Sequence, residues 1–474
     1  MTKQELDEIF AYQTIAIIAA AGHGKTEMIV DMVEYADGKQ LLLTHTHAGV
    51  DALQKRLNYR NVPKNKYTIS TIAAFCMRWG TAYCNTAEVN TSLVPTKTAS
   101  NAFYSQFYQG TKRIFQNEWP KSVLQSSYSG IIVDEYQDCL IIHHEMFLAL
   151  SCHLPVRVLG DPLQGIFSFS GQKIVNWKKL GFPILKKDTP PWRWSKTNPD
   201  LGKYLDSIRN ELWPAISGQS CSITIQDCRG SICVVDPNEF NAYSKLNEFR
   251  RYKSVLHIAK WDSQQKAFCS RMSGLFQVDE RQDCEDLFDY AETFSNKSGT
   301  DLILSIIDFE SKCATKVNTE LKSYISRLSK NSFVFDRITK KPEFGQLLLD
   351  LQTSDKYTLI LCILRWFLDD KTFKCYRREL HNEMIRSIEY ARDHEISIAD
   401  AAWLIRSNPA LQKRYANFRC LSSRTLLSKG LEFDCVIIDM SIPLSAKEFY
   451  VAMTRAMKKI YILSPSSTFK LLPD

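Results

Sequence analysis

The segment Ala19–Thr26 has the residue types and the spacing of a phosphate-binding loop. Two glycines allow backbone N–H groups to approach phosphate oxygens closely, Lys25 adds a positive charge for the terminal phosphates, and Thr26 is a candidate ligand for Mg²⁺. A helix predicted from Glu27 onward would also direct its positive N-terminus at the anion. An ordinary strand-to-helix turn with a solvated lysine is the alternative. The segment predicts ATP and Mg²⁺ as cofactors, bound by Ala21, Gly22, His23, Gly24, Lys25 and Thr26.

Two adjacent carboxylates end a second apolar stretch, Gly130–Asp138. Asp134 is predicted to hold Mg²⁺ through water, and Glu135 to polarise the water that attacks the γ-phosphate. Adjacent acidic residues also occur as a charge pair at a helix N-terminus, which is the alternative. Because these residues follow a phosphate loop in one predicted α/β domain, the sequence favours the catalytic interpretation.

Three further residues are candidates for contacts with the nucleotide. Gln164 lies in Val156–Phe169, a predicted strand with a polar exit, and is a candidate sensor of the γ-phosphate. Arg193 is flanked by aromatic residues in Pro190–Trp194, although a surface arginine packed on tryptophan is the alternative. Gln4, in a short amphipathic segment before the first strand, is a candidate to read the adenine edge. A surface glutamine near an N-terminus is the alternative there.

Polar and aromatic residues also follow the second and third predicted strands, Gln40–Thr44 and Tyr67–Ile72. Doubly wound folds bind ligands at this edge of the sheet. His45 and Phe75 are candidates for stacking on bases, and a buried aromatic residue is the alternative for Phe75. Phe169 lies close to Gln164 in the chain, so that one segment would couple hydrolysis to strand binding. The predicted DNA-binding residues are Thr44, His45, Thr71, Phe75 and Phe169.

The elements that must position these residues are strands that alternate with helices, which predicts an α/β fold. The alternation stops in residues 83–129 and in 283–411, where apolar residues recur at helical spacing, and strands return at 434–439 and 459–463. We therefore expect two RecA-like P-loop NTPase domains with parallel sheets, each carrying a helical insertion. The predicted boundaries are 1–190 for the first domain, 191–282 with 412–474 for the second, and 283–411 for the larger insertion.

Composition limits the class of protein. The 474 residues suffice for two or more domains, and 45% hydrophobic residues suffice for ordinary cores. The longest apolar run, Tyr357–Leu368, is too short to span a bilayer and contains Arg365. The 14 cysteines are scattered without zinc-site spacing, which predicts reduced thiols rather than disulfides or a metal cluster. With no signal peptide expected, we predict a cytoplasmic protein, and its net charge of +8 is weak support for a polyanionic partner.

These segments, in this order, resemble the motifs of the UvrD/Rep/PcrA family of superfamily 1 DNA helicases. The resemblance spans nearly the whole chain in scattered blocks: Ala19–Thr26 (A-x-x-G-x-G-K-T), Asp134–Asp138 (D-E-x-Q-D), Gly160–Phe167 (G-D-x-x-Q-x-I-F), Lys429–Phe433 (K-G-L-E-F) and Tyr450–Ala456 (Y-V-A-x-T-R-A). It implies that Gln4 binds adenine, that Gln164 and Arg193 bind the γ-phosphate, that Gly430 and Glu432 bind the nucleotide with Glu432 at the ribose, and that Arg455 is an arginine finger.

The resemblance implies an ATP-dependent translocase or helicase, stimulated by single-stranded DNA, with 3′-to-5′ polarity. ATP would be hydrolysed between two closing domains, with Lys25 and Glu135 on one side and Arg455 on the other. The expected partner is single-stranded DNA, or DNA with single-stranded ends. An ATP-gated DNA-end sensor or regulatory subunit with little unwinding of its own is the alternative. A scaffold with a decayed ATPase is disfavoured by the intact Lys25, Glu135, Gln164 and Arg455.

The chain is compact for this family and its first insertion is short, so we expect weak unwinding alone and dependence on a partner. Compact relatives occur in bacterial antiviral systems such as Gabija-type systems, where the helicase-like protein works with an OLD-family nuclease. The resemblance therefore extends to a candidate nuclease partner of that kind. Aromatic and basic residues in Trp366–Arg378 are candidates for a docking face or a duplex contact, and packing within the insertion is the alternative.

Overall fold

The structure is a computed structural model that describes residues 1–90, 100–166, 173–241, 244–280, 284–407 and 418–473. The chain packs into two compact units. Unit 1 comprises Met1–Ser231, Leu444–Lys458 and Thr468–Asp474, and unit 2 comprises Ile232–Pro443 and Lys459–Ser467.

Strands are numbered in chain order. They are β1 (Thr14–Ile18), β2 (Gln40–Thr44), β3 (Tyr67–Thr71), β4 (Gly130–Val133), β5 (Val156–Gly160), β6 (Ile184–Lys186), β7 (Cys221–Thr224), β8 (Ile232–Val235), β9 (Val255–Ile258), β10 (Gln277–Val278), β11 (Cys420–Ser423), β12 (Phe433–Asp439), β13 (Ala456–Leu463) and β14 (Thr468–Leu471).

Helices are numbered in the same way. They are α1 (Lys3–Phe10), α2 (Lys25–Tyr35), α3 (His47–Tyr59), α4 (Ile72–Ala82), α5 (Cys84–Ala87), α6 (Ser100–Phe115), α7 (Pro120–Ser127), α8 (Ile141–Leu150), α9 (Pro199–Leu212), α10 (Leu246–Phe249), α11 (Asp262–Arg271), α12 (Glu285–Asn296), α13 (Gly299–Cys313), α14 (Val317–Glu320), α15 (Lys322–Leu328), α16 (Pro342–Asp350), α17 (Lys356–Asp369), α18 (Arg378–His394), α19 (Ile398–Ser407) and α20 (Ala446–Met453).

The sheet of unit 1 has the strand order β3-β2-β4-β5-β1-β6, and every neighbouring pair is parallel. Its central strands are nearly continuous apolar runs because helices cover both faces, as is usual for parallel sheets. One face packs against α1, α2 and α3 through Ile15, Ile17, Leu42, Ile132 and Leu159. The other packs against α4, α6 and α8 through Ala16, Ile18, Leu43, Val133 and Val158. The carboxyl ends of the strands therefore meet at one edge, where the loops emerge.

The late segment Leu444–Lys458 also belongs to unit 1, where α20 packs against α9. Ser445 caps α20, because its hydroxyl accepts from the Glu448 amide at 3.2 Å and the Glu448 carboxylate accepts from the Ser445 amide at 2.9 Å. Beyond it, β14 pairs with β7 as an antiparallel ribbon. This segment thereby becomes part of the surroundings of the phosphate loop.

Unit 2 has a second six-stranded sheet, with the order β10-β11-β9-β12-β13-β8. Between β10 and β11 the described chain is helical from α12 to α19, and these helices bury a large apolar core of their own. Phe309, Tyr324, Phe344 and Phe367 are among the fully buried side chains of that core. Most of the apolar residues of the larger predicted insertion are therefore used in internal packing.

The predicted α/β fold with two parallel sheets is confirmed. The predicted domain boundaries stay predictions, although unit 1 contains residues 191–231 and 444–458, which the sequence assigned to the second domain. The helix predicted over Tyr450–Ala456 begins and ends earlier than expected, because α20 spans Ala446–Met453 and Ala456 already begins β13. Arg455 therefore lies in the connection between them.

In the described ranges, no helix has the length and apolar character needed to cross a membrane. Each of the 14 cysteines lies in those ranges as a free thiol.

Candidate nucleotide-binding site

The predicted phosphate loop connects β1 to α2. Gly22 and Gly24 have φ values of +75° and +82°, in the left-handed region that favours glycine. Gly24 is the N-cap of α2, and among the described residues no side chain accepts a hydrogen bond as a cap of this helix. The Lys25 ammonium lies 3.4 Å from the carbonyl oxygen of Ala19 and 3.5 Å from that of Ala20. Lys25 and Thr26 are half-buried at the start of the helix, so this loop has the form that anion binding requires.

A short 3₁₀ turn, Trp192–Trp194, forms a wall beside this loop. The Arg193 amide donates to the Gly22 carbonyl at 3.1 Å. A Cβ atom at Gly22 would lie 2.6 Å from Trp194 Cζ3, which leaves no room for a side chain. The Trp194 indole N–H donates to the carbonyl of Ala456 at 2.6 Å. Trp192 is 59% exposed, and its Cδ1 would lie 3.4 Å from a Cβ atom at Gly24.

His23, the residue between the two glycines, is oriented by other parts of unit 1. Its Nε2 lies 2.8 Å from Asp206 Oδ1, and its carbonyl accepts from the Thr189 hydroxyl at 3.0 Å. The His23 side chain is buried. The structure therefore gives His23 a role in holding the shape of the loop.

Asp161, directly after β5, is the centre of a buried hydrogen-bond network. Its Oδ2 accepts from the Ala21 amide and from the Tyr450 hydroxyl, both at 3.1 Å. Its Oδ1 lies 3.1 Å from Arg209 Nη2 and accepts from the Leu163 amide at 3.3 Å. Asp161 is 0% exposed, so these donors offset the loss of hydration of its charge. Burial, and next the Asp161 carboxylate, raise the pKa of Tyr450 well above its ordinary value.

The acidic pair follows β4 directly. Asp134 Oδ1 accepts from the Glu135 amide at 2.8 Å, and the Gln137 side-chain amide donates to Glu135 Oε2. Glu135 has a φ of +53°, an uncommon backbone conformation for a residue with a side chain. Burial and the neighbouring Glu135 raise the pKa of Asp134 to about 7, while the charge of Lys25 lowers it. The lysine of the loop thus acts electrostatically on the first carboxylate.

Gln137 connects the acidic pair to the Asp161 network. Its Oε1 accepts from the Asp161 amide at 3.0 Å, while its side-chain N–H₂ donates to Glu135. Gln164 ends the 3₁₀ turn Pro162–Gln164 that starts after Asp161, and it is 4% exposed. The structure therefore brings the loop, the acidic pair and the Gln164 turn together at one edge of the sheet.

Arg193 and Arg455 both lie in unit 1. Arg193 Nη1 donates to the carbonyl of Thr454 at 2.9 Å, so its side chain reaches the residue before Arg455. Arg455 is 2% exposed, and it donates to the carbonyl of Val451 at 3.0 Å and to the Thr454 hydroxyl at 3.1 Å. The sequence placed Arg455 on the opposite side of the nucleotide from Lys25, whereas its packing places it in the same compact unit.

Three predicted nucleotide-binding residues lie apart from this group in the chain. Gln4 is exposed in the first turn of α1, which the Thr2 hydroxyl caps. Gly430, with a φ of +83°, and Glu432, which is exposed, belong to unit 2. Their roles at the adenine and the ribose stay predictions.

The predicted DNA-binding residues differ in accessibility. Thr44 and Thr71 are buried, and the Thr71 hydroxyl caps α4 by accepting from the Ala74 amide at 3.1 Å. Phe75 is 2% exposed and its ring stacks on Phe115 with centroids 5.9 Å apart, which is the core arrangement considered as the alternative. His45 is partly exposed, with its Nε2 3.3 Å from Cys139 Sγ. Phe167 and Phe169 lie outside the described residues.

Sequence reasoning missed Asp161, Gln137, Tyr450 and Trp192 as parts of the site. Asp161 and Gln137 had a usable signal, since each lies in a polar segment that follows a predicted strand. Tyr450 stands in the block Tyr450–Ala456, but its contact with Ala21 had no local signal, because it joins residues 429 positions apart.

Comparison with protein families finds a match for the part of the chain that contains the phosphate loop and the acidic pair. Residues 2–170 match the family model described as an AAA domain. No curated protein matches the sequence. The parallel sheet, the phosphate loop and this match together imply that the chain uses a nucleotide.

The comparison with solved structures finds several helicases, each at low sequence identity. An arterivirus nonstructural protein 10 (helicase) solved with DNA is 11% identical with a TM-score of 0.36, and the alignment covers 97% of this chain and 62% of that chain. The chain thus spans less than two thirds of the length of that protein. A Pif1 helicase from Candida albicans is 12% identical with a TM-score of 0.38, and the alignment covers 98% of this chain and 95% of that chain.

Proposed function

We propose that this protein is an ATP-driven translocase or helicase of superfamily 1 that acts on nucleic acid. The observation that carries the proposal is the direct hydrogen-bond path from the phosphate loop to the acidic pair, through Ala21, Asp161, Gln137 and Glu135. The motif order in the sequence and the AAA-domain match of residues 2–170 support it independently.

The residues present fit ATP with Mg²⁺. The left-handed Gly22 and Gly24 open a path for backbone N–H groups, and Lys25 is available for the terminal phosphates. Thr26 and Asp134 would hold the Mg²⁺ ion, which neutralises charge on the phosphate oxygens when bound. The environment of Asp134 raises its pKa to about 7, and a Mg²⁺ ion bound beside it would favour its charged form.

The chain's own residues would then divide the work of hydrolysis. Glu135 is the group that accepts a proton from the attacking water, and Gln137 fixes the orientation of its carboxylate by donating to Oε2. The same Gln137 side chain also accepts from the Asp161 amide, so a movement of the acidic pair would change the hydrogen bonding of Asp161. Asp161 in turn bonds the loop at Ala21 and α20 at Tyr450.

Single-stranded DNA as the substrate and 3′-to-5′ polarity rest on the resemblance of the motifs. Partly exposed His45 is the predicted strand contact that the described structure leaves most accessible. The second candidate function is an ATP-gated sensor or regulatory subunit that works with a nuclease. Retention of the hydrolytic residues favours neither function, so unwinding itself must be measured. Cytoplasmic localisation stays a prediction.

Steady-state ATP hydrolysis with and without single-stranded oligonucleotide tests the proposal. We expect strong stimulation by the oligonucleotide. Glu135→Gln should reduce turnover by ~10²–10⁴-fold while keeping nucleotide affinity, because an amide keeps the shape but accepts no proton. Glu145→Gln is a matched control, since that carboxylate pairs with Lys112 on α6, away from the loop.

Two outcomes separate the candidate functions and test the premise. Strand displacement by the same preparation, with 3′ and 5′ overhangs compared, supports a helicase, whereas stimulated hydrolysis without displacement supports the sensor. Equal ATPase rates with and without oligonucleotide would remove the nucleic-acid coupling altogether.

A further inference from the structure

Two histidines and a cysteine lie together at the edge of the unit 1 sheet, outside the hydrogen-bond path just described. His45 follows β2, Cys139 follows the short turn after the acidic pair, and His143 lies in the first turn of α8. One ligand atom from each residue lies within 4.8 Å of the other two. His45 Nε2 and Cys139 Sγ are 3.3 Å apart. His45, which is 94 positions from Cys139 in the chain, thus meets two residues of one short segment.

His143 has one ring nitrogen without a hydrogen-bond partner in the described part of the chain. Its side chain is 4% exposed and its Nδ1 accepts from the Leu140 amide at 3.2 Å, while its Nε2 has no hydrogen-bond partner among the described residues. Because Nδ1 accepts, Nε2 carries the ring proton in this state and lacks an acceptor, so within the described ranges the His143 ring has one polar position without a partner, which is uncommon for a buried group. The neighbouring His45 ring has its centroid 5.8 Å from that of His143, and its Nε2 is the atom that contacts Cys139.

We propose that His45, Cys139 and His143 form a zinc-binding site. Two imidazole nitrogens and one thiolate are donors that Zn²⁺ prefers, and three protein ligands leave a fourth position for water. With ordinary Zn–S and Zn–N bond lengths, the sulfur and nitrogen of a tetrahedral site are about 3.6 Å apart. The distance of 3.3 Å between Cys139 and His45 is close to that value. All three ligand atoms lie within 4.8 Å of one another, so metal binding would draw the wider pairs together.

Binding has a defined chemical cost. The Cys139 thiol gives its proton to solvent as the sulfur bonds the metal. The hydrogen bond from the Leu140 amide to His143 is given up whichever ring nitrogen binds, because Nδ1 either takes the metal or takes the ring proton. The two buried ligands and the short chain between them favour a preformed site.

The site connects two segments that the proposed function uses. Cys139 directly follows Asp138 in the segment that begins with Asp134 and Glu135, and His45 is a predicted strand contact. Zinc would therefore fix the segment after the acidic pair and withdraw the His45 imidazole from nucleic acid. This consequence for strand binding rests on the proposed function, whereas the metal site does not.

Cobalt titration of the untagged, chelator-treated full chain tests the site directly. We expect binding of one Co²⁺ per chain, with cobalt–thiolate charge-transfer absorption that Zn²⁺ abolishes and excess Mg²⁺ does not. Cys139→Ser should remove the charge-transfer band. His143→Asn should weaken Co²⁺ binding by more than about 10-fold, because loss of a residue that only hydrogen-bonds a metal ligand already costs about that much. Cys152→Ser and His47→Asn are matched controls that lie outside the cluster, and both should leave the titration unchanged.

Wild-type protein without a cobalt–thiolate band overturns the proposal without reference to any variant. A band that survives in Cys139→Ser and disappears in Cys152→Ser also overturns it, because the sulfur would then be the exposed thiol. Metal binding is measured without ATP or DNA, so failure here is distinct from failure of the proposed ATPase.

Discussion

Replacement of Gly22 by alanine tests the packing of the phosphate loop against the Trp192–Trp194 wall. Gly22 has a φ of +75°, and an added Cβ atom would lie 2.6 Å from Trp194 Cζ3 and 2.9 Å from Arg193 Cβ. Trp194 is 1% exposed, and its indole N–H is bonded to the Ala456 carbonyl at 2.6 Å. The ring therefore has no free space into which it can withdraw.

Two contributions set the magnitude of the destabilisation. The left-handed backbone conformation costs an alanine roughly 1–2 kcal/mol. Forcing a methyl group into a filled space costs roughly 1–3 kcal/mol more. We therefore expect Gly22→Ala to lower the free energy of unfolding of unit 1 by roughly 2–5 kcal/mol.

Gly218→Ala separates the two contributions. Gly218 also belongs to unit 1 and has a φ of +77°, but a Cβ atom there would meet nothing within 4 Å. This control should therefore cost only the backbone contribution of roughly 1–2 kcal/mol. Urea titrations followed by tryptophan fluorescence measure both variants on the transition of the same unit. Equal losses of stability in the two variants would refute the packing of Trp194 against the loop.

Further predictions concern the nucleotide site and the strand. Trp192→Phe should remove most of the nucleotide-induced change in tryptophan fluorescence, because this exposed indole lies against Gly24; an unchanged signal would show that the nucleotide does not approach it. Tyr450→Phe should destabilise unit 1 by roughly 1–3 kcal/mol in urea titrations, since buried Asp161 loses one donor; no loss would show that another donor replaces the hydroxyl. Arg455→Ala should lower turnover by ~10³-fold or more if Arg455 is an arginine finger, whereas unchanged turnover with reduced thermal stability would assign this buried side chain to packing. The logarithm of single-strand affinity should fall linearly with the logarithm of salt concentration if lysines and arginines displace phosphate counterions, and a flat dependence in binding titrations would contradict that mode.

The sheet of unit 1 could be predicted because its strands carry a strong local signal. Strands β1 (Thr14–Ile18) and β2 (Gln40–Thr44) are apolar except for polar residues at strand ends, since helices cover both faces of the sheet. The phosphate loop and the acidic pair could be found for a related reason. Each of these two sites needs particular residue types within a few positions after a strand, so a short stretch of sequence is enough to recognise it.

Phe75 and Arg455 show what the sequence alone leaves open. A ring that stacks on a base and a ring that packs on Phe115 give the same pattern along α4, and only burial distinguishes them. The helix predicted to carry Arg455 stops early because Ala456 begins a strand. The contacts of Asp161 with Tyr450 and of Trp194 with Gly22 depend on tertiary packing, so no short window of sequence contains both partners.

The contact between Ala21 and Tyr450 also sets an order of events during synthesis. Tyr450 is made 429 residues after Ala21, which corresponds to roughly 20–90 s at ribosomal rates of ~5–20 residues per second. Until then Asp161 lacks the hydroxyl donor from α20, and Trp194 lacks the carbonyl of Ala456. During this time the N-terminal part of unit 1 lacks both contacts beside the phosphate loop. A chain whose synthesis ends before Tyr450 never forms them.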